Sequence, residues 1–287
     1  MTAAALRVDT AEEERLSAVM AYVAGAQAEP RRHVTYVGED VTTLAEEFSE
    51  AQAWADRLLV ALIGDQLAGV LLADIDTGMR RVWWIGPWAD TEVVAIALLS
   101  HARERFGGLF DEEELAPDSR NEMLRSAALR LGFAEGTASS VLSKMDLTTD
   151  GTSSTEQLAE TRADHVAELH DSLFPGTHTT GAKLVNLEGT RIRTAQLNGV
   201  TAGYVAYEIQ ADGTGYINYV GVSPVARRRG LGRALIADVC RELAADGAGA
   251  VHLTVRADAP GAVDLYRSLG FNQERIIVPY RRGFILG

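Results

Sequence analysis

Residues 223–233 read Ser-Pro-Val-Ala-Arg-Arg-Arg-Gly-Leu-Gly-Arg, which sets Arg227, Arg228, Arg229 and Arg233 around Gly230 and Gly232. Glycine lets a backbone approach a ligand closely, because no Cβ stands in the way. If a helix begins here, its first-turn N–H groups lack partners and carry partial positive charge, which suits phosphate. The arginines add full charges. The pattern reads as a cradle for a diphosphate. It is not the nucleotide loop Gly-x-x-x-x-Gly-Lys-Ser/Thr, which the chain lacks. Nor is it the dinucleotide fingerprint, since Leu235 stands where a small residue is required. The plainer alternative is a basic helix start whose glycines only form a turn.

The flanking residues supply the elements that would hold such a loop. Tyr204-Val-Ala-Tyr-Glu-Ile and Tyr216-Ile-Asn-Tyr-Val-Gly-Val flank Asp212-Gly213, a hairpin signal. With a two-residue turn there, Tyr207, Tyr216 and Asn218 share one sheet face and Glu208 points to the other. After the loop, Leu231, Leu235, Val239 and Leu243 recur at helical spacing, joined by Ile236 and Cys240. A strand at residues 251–255, a helix near 262–268 and a last strand near 276–279 complete a mixed α/β unit, with helices on a largely antiparallel sheet.

The chain repeats this plan. Leu131-Gly-Phe recurs as Leu269-Gly-Phe, Pro87 as Pro224, Ala97-Leu as Ala234-Leu, and Ala68-Gly as Ala202-Gly, at offsets of 138, 137, 137 and 134. Ordered landmarks with a slowly growing offset are what duplication leaves behind. Residues 146–155 are polar, rich in turn formers and without apolar period, so the boundary is expected there. The expected domains are 1–147 and 148–287.

Val220-Gly-Val-Ser-Pro-x-x-Arg-x-x-Gly-x-Gly-x-Ala-Leu resembles the acyl-CoA-binding signature of the GNAT N-acetyltransferase superfamily. Ala262-Val-Asp-Leu-Tyr-Arg-Ser-Leu-Gly-Phe resembles that family's second signature, at a fitting distance. The resemblance implies an α/β fold of two tandem GNAT-like domains, the first degenerate, in a layout similar to that of the mycothiol synthase family. It further implies acetyl-CoA, or another acyl-CoA, as co-substrate and no metal. The N–H groups of Arg228, Arg229, Gly230, Gly232 and Arg233, with Arg227 beside them, would meet the CoA pyrophosphate. Val220 and Val222 would pair through their backbones with the pantetheine arm. Tyr266 would protonate the departing thiolate. Phe174, His178, Tyr216 and Asn218 would line the acceptor pocket, with His170 in the same segment. Two positions depart from the family pattern: Tyr216 stands where relatives carry a carboxylate base, and Ala259 where they often have asparagine. The base is therefore unassigned.

At a constant shift of 137, residues 90–96 fall on 227–233. Asp90 and Glu92 then replace arginines, Val93 replaces Gly230, and Ala128 replaces Tyr266 at the 138 shift. Asp90 reads as a helix N-cap. One cofactor site per chain is expected.

Composition bounds the rest. The 287 residues carry 27 basic and 40 acidic side chains, a formal charge of −13, with −12 of it in residues 1–147. Acidity argues against nucleic acid and anionic membranes as partners. A 47% hydrophobic and 23% charged content excludes a disordered chain. One cysteine forms no internal disulfide, and Cys240 on an apolar helix face reads as a core thiol. No signal peptide or spanning stretch is legible, so a cytoplasmic setting is expected. The six histidines show no metal-ligand spacing. Trp83, Trp84 and Trp88 read as core or interface packing, and Asp111-Glu-Glu-Glu as a solvated loop. The function expected is acyl transfer to a small-molecule amine by a monomer with pseudo-dimeric domains or by a homodimer. A mycothiol synthase-type acetyltransferase and a non-catalytic acyl-CoA sensor are the alternatives.

Overall fold

The computed structural model describes residues 5–34, 37–38, 41–51, 53–177, 179–210 and 212–283. The chain forms two compact units, residues 1–139 with 275–287, and residues 140–274.

In the first unit the strands are β1 (Leu6–Thr10), β2 (Leu58–Ile63), β3 (Gln66–Asp76), β4 (Arg81–Ala89), β5 (Glu112–Leu115) and β6 (Ala134–Glu135). Its helices are α1 (Leu16–Gln27), α2 (Val41–Glu50), α3 (Trp54–Arg57), α4 (Glu92–Phe106) and α5 (Glu122–Arg130). The second unit holds β7 (Ser139–Lys144), β8 (Glu156–Gln157), β9 (Arg191–Leu197), β10 (Val200–Ile209), β11 (Gly215–Val222), β12 (Val251–Arg256) and β13 (Asn272–Ile277). Its helices are α6 (Ala163–Leu173), α7 (Gly181–Leu184), α8 (Leu231–Ala245) and α9 (Pro260–Ser268). A last strand, β14 (Tyr280–Arg282), returns to the first sheet.

The sheets run β1-β2-β3-β4-β5-β14-β6 and β13-β7-β12-β11-β10-β9-β8. The mixed α/β class and the two similar units agree with the sequence reading. The division of the chain does not follow residue 148. Residues 139–144, expected to close the first half, lie between β13 and β12 of the second sheet, and β14 lies between β5 and β6 of the first. The expected last strand near 276–279 is thus two strands, β13 and β14, with residues 278–279 between them. A strand is placed by where its backbone finds partners, which local sequence does not record.

In the second unit, residues 202–207 of β10 are buried, as befits a central strand covered on both faces. Leu235, Ile236, Val239, Cys240 and Leu243 of α8 are buried with Val205, Tyr207 and Ile217 in the core on one side of the sheet. Val166, Leu184, Ile192, Tyr204 and Ala206 form a smaller core on the other. The polar run before β8 is anchored: Asp238 of α8, 3% exposed, accepts from the Thr155 amide at 2.8 Å, the Thr155 hydroxyl at 2.6 Å and the Ser154 amide at 2.9 Å.

The run Asp111-Glu-Glu-Glu is not a solvated loop. Residues 112–115 form β5, in which Glu113 and Glu114 are only 6% and 4% exposed. Arg103 and Arg282 neutralise Glu113 at 2.6 and 3.1 Å, and Arg281 neutralises Glu114 at 2.7 Å. Buried carboxylates persist only when paired. Here the partners come from α4 and from β14, the latter beyond any sequence window. Trp84 and Trp88 are core residues, 2% and 0% exposed.

Candidate active site

Strand β11 pairs antiparallel with β10, and parallel with β12 through Gly215, Tyr216 and Ile217. Beyond Ile217 the strands β11 and β12 part among the described residues. The divergence coincides with a β-bulge: Ala206 faces Tyr219 and Tyr207 faces Ile217, so Asn218 is the extra residue. The edge of β11 over Val220–Val222 is left open toward the place where β12 would have continued. An extended chain could add to it as a strand does.

The bulge also corrects the expected faces. The hairpin closes with Gln210 N–H on Thr214 O at 2.8 Å, so three positions, rather than the two of Asp212-Gly213, separate the paired residues. Tyr207 points toward α8, where its hydroxyl donates to Glu242 at 2.6 Å. Glu208 is the direct partner of Tyr216, so these two share a face that Tyr207 does not.

From the end of β11, residues 223–230 loop outward before α8 begins. Gly230 is the N-cap, in the left-handed region at φ 83°, and no side chain caps the helix. Arg228 is also left-handed at φ 63°. Alternating handedness turns successive N–H groups toward one concavity, a nest suited to an anion. Arg227, Arg228, Arg229 and Arg233 are exposed around it. Arg227 Nε donates to Val222 O at 3.2 Å, tying the loop to the strand end, and Arg233 donates to Ser268 Oγ at 2.6 Å. A Cβ on Gly232 would stand 3.3 Å from Leu265, so the first turn of α8 lies close against α9. A cradle that lacks its own cap, rimmed by arginines and continuous with an open strand edge, fits a diphosphate carrying an extended amide arm.

Tyr266 on α9 is 8% exposed and packs edge-on against Phe271 at 5.7 Å. Burial pushes its pKa up to about 12, so the phenol keeps its proton at neutral pH. Cys240 is 7% exposed and burial raises its thiol to about 11, which leaves no thiolate to act as nucleophile.

On the opposite face, Phe174 packs against Tyr219 at 5.3 Å and against His170 at 5.3 Å. His170 is fully buried; its Nε2 lies 2.8 Å from Thr179 O and its Nδ1 2.6 Å from Tyr204 Oη. A carbonyl only accepts, so Nε2 carries the proton, and in the neutral ring Nδ1 accepts from Tyr204. Gly221 makes room for this cluster, since a Cβ there would stand 2.4 Å from the Tyr204 ring. Tyr216 reaches Thr254 Oγ1 at 3.1 Å. Of the expected acceptor residues, Phe174, Tyr216 and Asn218 lie on the segment or strand that borders the cleft, and His178 falls outside the described residues. Tyr219, a polar neighbour of Tyr216 that was not among the expected acceptor residues, is the residue that joins Phe174 to β11. A broken alternation of apolar residues at Asn218 was the available signal.

In the first unit the features of the cradle and the phenol position are altered, while the parting of the strands is kept. The connection from β4 to α4 is Asp90 and Thr91 alone, so the cradle loop is missing rather than substituted. The fixed shift of 137 hid this deletion. The N-cap is Thr91, not Asp90, whose carboxylate instead meets Arg32 at 3.0 Å and Tyr22 at 2.8 Å. Strands β4 and β5 pair through Arg81–Trp83 and then part, as in the second unit. Here the gap is bridged by the chain itself: Val34 pairs with Pro117, and the amide of Asp118 donates to His33 O at 3.1 Å. Ala128 is fully buried at the position of Tyr266.

Among the described residues no group of histidine, cysteine and carboxylate side chains is placed to hold a metal. None of their helices is long and apolar enough to cross a membrane.

A mixed sheet opened by a bulge beside a capless, arginine-rimmed helix start is the arrangement of an acetyltransferase of the GNAT type. Comparison with known proteins agrees. The family model described as Acetyltransferase (GNAT) family matches residues 162–271. The [ribosomal protein bS18]-alanine N-acetyltransferase of Escherichia coli K12 is 36% identical over 105 residues, 36% of this chain and 68% of that protein. The mycothiol acetyltransferase of Gordonia bronchialis is 43% identical over 68 residues, 24% of this chain and 22% of that protein. A tandem GNAT protein from the clavulanic acid biosynthesis pathway superposes with a TM-score of 0.67 at 13% identity, covering 99% of this chain and 100% of that one. The chain belongs to the GNAT acetyltransferase family and is an N-acetyltransferase.

Proposed function

We propose that the second unit transfers an acyl group, acetyl foremost, from acyl-CoA to the primary amine of a small molecule. The observation that carries this is the continuity of the open β11 edge with the nest at Arg228 and Gly230. When bound, the thioester supplies an activated acyl carbon. The chain's own groups do the rest. Backbone groups of Val220 and Val222 hold the arm, and N–H groups of residues 228–233 with the exposed arginines hold the diphosphate. A backbone amide near Val220 would polarise the acyl carbonyl. Tyr266, protonated and desolvated, would donate to the leaving sulfur. Fixing the amine and thioester in one cleft contributes through positioning. The first unit, lacking loop and phenol, supports no second reaction.

A mycothiol synthase-type reaction is the second reading, favoured by the 43% identity to the Gordonia enzyme over 68 residues. The E. coli relative is named for a protein alanine substrate, so a peptide acceptor is a further arm of the test. The experiment is incubation with acetyl-CoA and a panel of ethylamine, glucosamine, spermidine and an alanine-initiated peptide, reading free thiol. Release with a small amine supports the proposal, and release with the peptide alone overturns it. Acetyl-CoA binding without release from any amine would favour the sensor alternative.

A further inference from the structure

An alkyl amine is an ammonium at neutral pH, with no lone pair to attack a thioester. Something must take its proton. Tyr216, at the strand position facing the acceptor side, does not serve, because burial and then the nearby Glu208 charge raise its phenol further. His170 is fully buried, and both ring nitrogens are engaged. Cys240 lies in the core on the other side of the sheet.

Glu208 has the required position. It is the cross-strand partner of Tyr216, and in such a pair the Cβ atoms are about 5 Å apart on one face. Two residues before it, Ala206 faces Tyr219, so Glu208, Tyr216 and Tyr219 all lie on the side where Phe174 packs. The strands β11 and β12 separate immediately past this pair, so the carboxylate stands at the closed end of the cleft whose open edge runs through Val220. Tyr216 and Val220 are separated by about 13 Å of strand at roughly 3.3 Å per residue. Over that separation the Glu208 carboxylate would act on the amine through bridging water. The aromatic faces of Tyr216, Tyr219 and Phe174 suit a cation and repel an anionic acceptor. Among the described residues, other ionisable groups on this side include His252, 3.6 Å from Glu274, and Asp171, which accepts from the Gly181 amide at 2.7 Å.

We propose that Glu208 is the general base of the second unit and that its acceptor is a cationic primary amine, bound as the ammonium among Tyr216, Tyr219 and Phe174. This rests on the transferase reading above. Glu208 takes one proton from the ammonium through bridging water. The freed nitrogen pair forms the C–N bond, the C–S bond breaks, and the sulfur takes the Tyr266 proton. The amide nitrogen sheds its second proton to solvent, Glu208 returns its own there, and Tyr266 is reprotonated.

The test compares the wild-type chain with Glu208→Gln and Glu208→Asp on two matched probes, ethylamine and 2,2,2-trifluoroethylamine, the latter already neutral at pH 7. For ethylamine, Glu208→Gln should lower kcat/KM by about 100-fold, with Glu208→Asp recovering part of it. For trifluoroethylamine the same substitution should change kcat/KM less than about threefold, since no proton need be removed before attack. Acetyl-CoA affinity and the unfolding midpoint should be unchanged. Equal kcat/KM for ethylamine in wild type and Glu208→Gln overturns the assignment. So does an equal loss on both amines, which would make the carboxylate structural. If the wild-type chain releases no thiol from any amine, the transferase reading itself fails, and this assignment with it.

Discussion

Trp88 Nε1 donates to Gln27 Oε1 at 2.8 Å, and the same oxygen accepts from the Val34 amide at 2.9 Å. Gln27 Nε2 completes the set by donating to Val34 O at 3.0 Å. One buried amide thereby links β4, α1 and the residue that pairs with Pro117 on the far side of the gap between β4 and β5. The first unit fills with its own backbone the cleft that the second leaves open, and it meets Arg32 with the Asp90 carboxylate near the start of α4.

Titration calorimetry should accordingly find one acetyl-CoA per chain. Two equivalent molecules would refute the self-filled cleft. Gln27→Ala strands the Trp88 donor and both Val34 groups, and should lower stability by about 2–4 kcal/mol in denaturant unfolding, with acetyl-CoA affinity of the second unit kept.

Tyr266→Phe removes a proton donor and little packing. Turnover is expected to fall about 100-fold with acetyl-CoA affinity nearly unchanged. Because burial holds the phenol at about 12, its loss of the proton should contribute no alkaline decline in the wild-type rate below about pH 10. Equal turnover in Tyr266→Phe would remove it from the chemistry.

His170→Phe keeps an aromatic ring against Phe174 and Tyr219 but cuts the bond to Thr179 O. The segment between α6 and α7 then loses a fixed point. The KM for the acceptor should rise roughly tenfold, about 1.4 kcal/mol, while the Kd of acetyl-CoA stays put. An unchanged acceptor KM would show that this segment does not border the bound amine.

Acid stability should depend on Asp238. Burial raises its pKa, but hydrogen bonds from Thr155, Ser154 and Ser153, with the charge of Arg241, outweigh it and hold the group below the usual 3.8. A depressed folded value means a stabilisation present above the unfolded value and lost as pH falls through the folded one. Unfolding of the second unit should therefore become easier as pH drops from about 5 toward 2. In Asp238→Asn that part of the slope disappears, and stability at pH 7 falls, because an amide cannot accept as many bonds. An unaltered acid slope in the variant would place the sensitivity elsewhere.

Local pattern made some of this legible and not the rest. The loop that opens α8, α8 itself and the buried place of Tyr266 on α9 were readable because each depends on residues within a few positions: glycines at fixed spacing, an apolar face, an aromatic in a short motif. The side of the sheet taken by Glu208 was not, because one inserted residue at Asn218 and a longer turn reverse the alternation on which the reading relied. The buried Glu113 and Glu114 were misread because Arg281 and Arg282 reach them from 167 and 169 residues away. The missing loop in the first unit escaped because two neighbouring landmarks happened to share an offset of 137.

The exchange of end strands sets an order on synthesis. Tyr280 pairs with Glu135 across 145 residues, so the first sheet stays incomplete on the ribosome until the second unit has been translated. Until then the β5 edge and the carboxylates of Glu113 and Glu114 are without their last partners, a state exposed to mispairing with a neighbouring nascent chain. The second unit needs only residues already made, β7 included, and can close first. The half without the cradle is therefore the last to become protein, and its completion reports that the half bearing the cradle has been made in full.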